Sequence, residues 1–179
     1  GNAELAYRAG VPSHIGRKSD GAMQPMTLGM TMAPVDIKAM MAAIGGPHGK
    51  AVKPFTTEED FVWFTLNFSE WVDEIRAIGI ELGRSATCWG NSIRPNIVNM
   101  NAVKVVGKNG ADNRDLTVAE THSRSTAMRF ATILREKVPG FESAYPVRVS
   151  PFIGIRETRH IEGIYTVSKA DVVEGKIPD

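Results

Sequence analysis

The chain has 179 residues, 42% hydrophobic and 23% charged, which is enough for one globular domain with a real core. A formal net charge of +1, with Lys and Arg scattered rather than clustered, gives no electrostatic ground for nucleic acid or an anionic membrane surface as partner. The one cysteine, Cys88, excludes an intrachain disulfide, no Cys/His spacing suits a metal, and no apolar run is long enough to span a bilayer.

Cytoplasm and periplasm both remain open as locations, since a periplasmic protein without disulfides would look the same. The chain starts Gly1-Asn2 with no initiator Met and no signal peptide, which reads as a processed or excised piece. Glu4 to Gly10 reads as a short helix, with Leu5 and Ala9 on one face and Pro12 beyond its glycine stop. Lys18 to Gly21 is a turn. Met23 to Met32 alternates as a strand, and Pro25 places it at a sheet edge or at the strand's first residues. Its methionines read as core filling. A helix over Ile37–Ile44 follows, stopped by Gly45-Gly46-Pro47. The loop after it, Gly45 to Lys53, lacks a phosphate-loop pattern, and His48 reads as a solvated loop residue.

Thr56 and Glu59 form a capping box, with a helix behind them carrying Phe61, Phe64, Leu66 and Phe68. Ser69 starts a second helix over Glu70–Leu82, with Trp71, Ile75 and Ile78 inward. Trp63 and Trp71 read as core. Cys88 to Pro95 reads as a polar loop, either a site on a rigid scaffold or a surface connection with one buried tryptophan. Asn96 to Val106 is a strand and Gly107 to Gly110 a turn. A second capping box, Thr117 with Glu120, predicts a helix to about Val138, with His122 on its surface. Ala144 to Val149 is a short strand, and Ser168 to Gly175 a capped helical turn. Three or four strands interleave with three or four helices in one domain. The fold class is α+β.

Between the last two elements, Pro151 to Thr166 sets Arg156, Glu157, Arg159 and His160 between two apolar, strand-like runs. Charges packed beside apolar residues need partners. In a strand the two arginines diverge; in a local coil they could converge on one anion, whose carboxylate a guanidinium grips bidentately. The alternative is an Arg–Glu network fixing a bend. Common catalytic patterns are missing: no G-x-G-x-x-G after a strand, no G-x-S-x-G, no H-E-x-x-H, and no local base beside Cys88.

Gly154-Ile155-Arg156-Glu157-Thr158-Arg159, then Gly163 to Thr166 and Asp171-Val172, resembles the G-[VI]-R-E-[ST]-R…G-x-Y-x-[LT]…D-V segment of a family of FAD-dependent oxidoreductases. Gly1 to Ala6 with Ala9-Gly10 is similar to its A-T-G-D-x-x-L-A…A-G motif, with Asn2 in place of Asp. Asp20-Gly21 with Gln24 to Leu28 matches its D-G-x-x-Q-P-x-T-L strand. Asn99-Met100-Asn101, Val105 to Gly107, Asp115 to Glu120 and Pro139 to Phe141 follow in order, so nearly the whole chain is covered. The resemblance implies the substrate, or cap, domain of a larger flavoenzyme: a mixed, mainly antiparallel sheet with helices on one side, covering the flavin ring. It implies FAD in the parent protein, with Gly1 and Asn2 at the cofactor, and none bound to this piece alone. Partners would be a small-molecule substrate, the FAD-binding domain of the same parent chain, and a second copy through an exposed docking face. On this reading Arg156 and Arg159 face substrate or flavin, joined by His160, Asn91 and Arg94; in the isolated piece the arginines would face solvent or pair with Glu157 or Glu162. The alternative is a free-standing, non-catalytic module that binds a small molecule or sugar with its aromatics and the Trp89-Asn91-Arg94 loop.

Overall fold

A computed structural model describes residues 3–44, 62–82, 86–94 and 96–175. Its elements in order are α1 (Glu4–Arg8), β1 (Ser13–Ile15), β2 (Met26–Ala33), α2 (Ile37–Ile44), β3 (Val62–Asn67), a 3-10 turn (Ser69–Trp71), α3 (Val72–Ala77), β4 (Thr87–Arg94), β5 (Ile97–Val105), α4 (Asn113–Lys137), β6 (Tyr145–Val149), β7 (Arg159–Ile161) and α5 (Lys169–Glu174). Five strands form one antiparallel sheet in the order β3-β4-β5-β2-β6, and β1 pairs with β7 in a separate two-stranded ribbon. This is an α+β fold, and it holds more strands than the sequence suggests.

Period-2 patterning builds the sheet. Met26, Leu28, Met30 and Met32 of β2 are all buried, so the methionines are core residues. β2 lies inside the sheet, and Pro25 stands immediately before its first residue, where a missing N–H costs no ladder bond. On β5, Val98, Met100 and Ala102 are buried, then Val103 and Val105. The parity change accompanies a bulge, where the register with β2 shifts between Leu28 and Met30.

α4 covers much of one face, and α2 and α3 bury Met40, Ile44 and Ile75 in the same core. α4 buries Ala119, Ser123, Ala127 and Ala131, spaced by four, with Thr126, Phe130 and Leu134 beside them. The small side chains let its backbone come close to β2, β5 and β6. Phe130 meets Phe68 edge-on at 5.6 Å between centroids. Each large apolar side chain buried there contributes about 1.5–3 kcal/mol.

Three segments depart from the expected elements. The helix placed over Phe61, Phe64, Leu66 and Phe68 is instead strand β3. Phe64, Leu66 and Phe68 are buried at a spacing of two, which a strand satisfies and a helix does not. The capping box at Thr56, like Phe61, His48 and the Gly45 to Pro47 stop, lies outside the described residues. The helix over Glu70–Leu82 is a 3-10 turn followed by six residues of α3, ending before Gly79 at φ +90°, a left-handed backbone that glycine tolerates. Trp71 and Ile75 are still buried. Cys88 to Arg94 is no loop: it is strand β4, paired with β3 and β5, with Cys88, Gly90 and Ser92 inward and Trp89 and Asn91 outward. Gly90 is tolerated inside this strand because the Phe64 ring fills its place; a Cβ there would lie 2.4 Å from Phe64 Cε2.

The helix placed from Thr117 starts four residues earlier, capped by Asp112, whose side chain accepts the N–H groups of Arg114 and Asp115. His122 is exposed on it. α5 has the capping box expected of Ser168, with Asp171 at N3 and Gly175 left-handed at φ +65°.

Candidate functional site

Among the described residues, no helix packs on the face of the sheet opposite α4, which carries a row of polar side chains. Asn91 of β4 lies opposite Asn99 of β5, Asn99 opposite Thr31 of β2, and Thr31 opposite Arg148 of β6. Directly opposed residues on one face bring their side chains into contact. Thr31 Oγ1 donates to Asn99 Oδ1 at 2.7 Å, and Asn99 Nδ2 donates to Asn91 Oδ1 at 2.9 Å. Every hydrogen in the row points the same way, so it ends on the Asn91 amide as a donor. Beside it the Trp89 ring is 61% exposed. Trp89, Asn91, Asn99, Asn101, Thr31 and Arg148 line a hollow of about 410 Å³, together with Gly29 and Ser150.

A second hollow, of about 610 Å³, lies against the 155–160 segment and the start of α4, between Leu116 and Arg156. The segment is held by a backbone bridge from Gly154 to Thr27. Arg156 is exposed, and its Nη2 lies 3.4 Å from Thr27 Oγ1. Thr27 and Thr31 belong to the same alternating set on β2, so Arg156 reaches the open face that carries Asn91. Arg159, by contrast, has a side chain only 12% exposed. It donates to Glu4 Oε2 of α1 at 2.7 Å and lies 4.5 Å from the centre of the Tyr7 ring. The hydrogen bond from Arg8, then the charge of Arg159, hold the Glu4 carboxyl below its ordinary value. His160 contacts Glu157 at 2.6 Å and stacks on His14, centroids 5.1 Å apart. Glu157 also accepts the Gln24 N–H at 2.6 Å.

The two arginines therefore diverge, as a strand would dictate: Arg156 turns to β2 and Arg159 to α1. The structure brings Arg156 and Asn91 to one face. It places Arg159 and His160 at the joint between the β1–β7 ribbon, α1 and the main sheet. Arg94 is exposed at the end of β4, opposite Ile97, with its carbonyl bonded by Ser92 Oγ. Gly1 and Asn2 lie outside the described residues. Thr31, Asn99, Arg148 and Ser150 were not foreseen as site residues; the signal for them is a polar residue at every second position of an otherwise apolar strand, as in Asn99-Met100-Asn101. Cys88 is fully buried, and burial pushes its thiol up to about 12, far from a thiolate nucleophile. Among the described residues, no three His, Cys, Asp or Glu side chains gather as a metal site, and no helix is long and apolar enough to cross a membrane.

An antiparallel sheet backed by helix on one face, with hydrogen-bonding groups and an exposed indole on the other, defines an α+β domain. The family model for FAD dependent oxidoreductases matches residues 1–179, and the chain belongs to that family. Comparison with curated proteins and with solved structures found no match.

FAD asks two things of a protein: a glycine-rich strand–turn–helix for its pyrophosphate and a wall beside its ring. The described residues fit only the second. Every strand pairing among them is antiparallel. The turn from β5 into α4 has glycines at 107 and 110, but Asp112 already takes the first N–H groups of the helix and Asp115 accepts the N–H of Asn109. Two carboxylates at that helix start repel a phosphate.

Proposed function

We propose that this chain supplies the substrate-facing wall of an FAD-dependent oxidoreductase, with the open face of the five-stranded sheet as that wall. The enzyme would transfer a hydride between an organic substrate and flavin, and the pyrophosphate-binding turn would come from another part of the parent protein. The observation that carries this reading is the uncovered row Asn91–Asn99–Thr31 beside the exposed Trp89. A sheet face in contact with water alone has no need of an internally bonded amide row. One that orients a ligand does, since fixed donors lose no reorganisation energy on binding. Asn91, at one end of the row, and Arg156, beside Thr27 farther along β2, serve as substrate-facing groups. Arg159 and His160 hold the 154–166 segment against α1 and β1 so that Arg156 keeps its position.

The test uses the FAD-loaded protein and a panel of alcohols, amines and hydroxy acids. Asn91→Ala and Trp89→Ala should raise KM about tenfold or more for whichever compound is turned over, and Arg156→Ala should lower kcat/KM, all without a change in melting temperature beyond a few degrees. Unchanged kinetics in all three variants would sink the reading. A non-catalytic sugar- or small-molecule-binding module would use the same indole; a compound that binds this face tightly while no compound reduces the flavin would favour it.

A further inference from the structure

One corner of the open face has a chemistry of its own. On β2, Thr31 and Gly29 are two residues apart; Arg148 of β6 and Ser150, the residue just after β6, are also two residues apart. Thr31 lies opposite Arg148, and the Ser150 N–H donates to the Gly29 carbonyl at 2.9 Å. The four positions form a square at the sheet edge, since among the described residues β6 pairs only with β2. Gly29 is the floor of the square. A Cβ built there would stand 2.8 Å from Ser150 Oγ, so the absence of a side chain is what leaves the hollow open. Around that floor stand two hydroxyls and a guanidinium. Arg148 is exposed and makes no ion pair among the described residues, whereas Arg8, Arg17, Arg124 and Arg159 each face a carboxylate. Among the described residues, no carboxylate lines the hollow.

We propose that this corner is an anion seat that selects carboxylate-bearing substrates, with Arg148 as the anchoring residue and the Ser150 and Thr31 hydroxyls as accessory donors. The proposal rests on the open face being the substrate wall and adds the class of substrate. A carboxylate over Gly29 would take charge-assisted hydrogen bonds from the planar Arg148 fork. The rest of the molecule would run across the sheet toward Trp89 and the Asn91 amide. That row spans four adjacent strands, about 14 Å at the ordinary strand spacing of roughly 4.8 Å. An organic acid with a flat or apolar body fits this length and order: anion at the edge strand, body on the indole.

The experiment titrates the FAD-loaded protein with phenylacetate and with phenylacetamide, which share a shape and differ in charge. Tryptophan fluorescence and the flavin absorption band report binding. Phenylacetate should bind about tenfold or more tightly than the amide. Arg148→Gln should abolish that preference while leaving amide binding unchanged, and Arg148→Lys should restore part of it. Gly29→Ala, which fills the floor without touching the charge, should also weaken phenylacetate selectively. Its new methyl meets only the mobile end of Ser150, so the fold is retained. Equal binding of both compounds, a preference that survives Arg148→Gln, or binding of neither would overturn the anion seat. The wall itself fails on a different result, unchanged kinetics in Asn91→Ala, Trp89→Ala and Arg156→Ala, so the two failures are told apart.

Discussion

Glu157 lines the second hollow beside the β1–β7 ribbon, and its contacts make it sensitive to acid. The hydrogen bond with His160 and then the Gln24 N–H hold its carboxyl below the ordinary value of 4.5, and the charge of Arg17 adds to this. A carboxyl depressed in the folded state contributes stability that is fully present above the unfolded value and is lost as pH falls through the folded one. Glu157→Gln should therefore lower the melting temperature at neutral pH, and the gap to the parent protein should close below pH 4.5. A gap that stays constant down to acid unfolding would show that the carboxylate charge contributes nothing. At this scale the sequence is half legible. The need of Arg159 and His160 for partners follows from their apolar surroundings, but the partner Glu4 lies 155 residues away in the chain, and no local spacing points to it.

The long helix shows how an element can be right and its start wrong. Thr117 with Glu120 looks like a capping box, yet Thr117 is inside α4, its Oγ1 bonded back to the Asn113 carbonyl at 2.8 Å. Asp112 has the extended backbone of a cap and satisfies two N–H groups. Asp112→Ala should cost about 1 kcal/mol in urea unfolding, within a range of roughly 0.5–2, while Thr117→Ala should stay within about 0.5 kcal/mol of the parent. Equal losses in the two variants would contradict this assignment. The β2, β5 and β6 strands and the α2 and α4 helices are legible by their period, and α5 by its cap. β3 and β4 are not, for a common reason. Phe64, Leu66 and Phe68 satisfy strand spacing, but two of the three also fit a helical face. In β4 the strand period is carried by Gly90 and Ser92, small residues, and Gly90 packs under the Phe64 ring of the neighbouring strand. The candidate site inherits this. Asn91 is legible as polar and near Trp89, but only the pairing of β4 with β5, and of β5 with β2, sets it in a row with Asn99 and Thr31.

At the scale of the molecule, α4 packs on one face of the sheet and the other carries the bonded row of Thr31, Asn99 and Asn91. Two kinds of adhesion to FAD must then be weighed. The open face can contact a ring through Trp89 and the amide row, a few hundred Å² at most, and association entropy alone costs several kcal/mol. The pyrophosphate, which usually fixes the cofactor through a ring of N–H groups, finds no such cradle among the described residues. Residues 1–179 expressed alone should thus fold, give a mixed helix and strand circular dichroism spectrum, and leave gel filtration colourless after incubation with excess FAD. The unliganded wall would be exposed in that sample, and added phenylacetate should still quench tryptophan fluorescence if Trp89 belongs to the seat described above. Stoichiometric yellow flavin retained by the isolated chain would overturn the division of labour proposed here, because it would require a pyrophosphate site inside these residues.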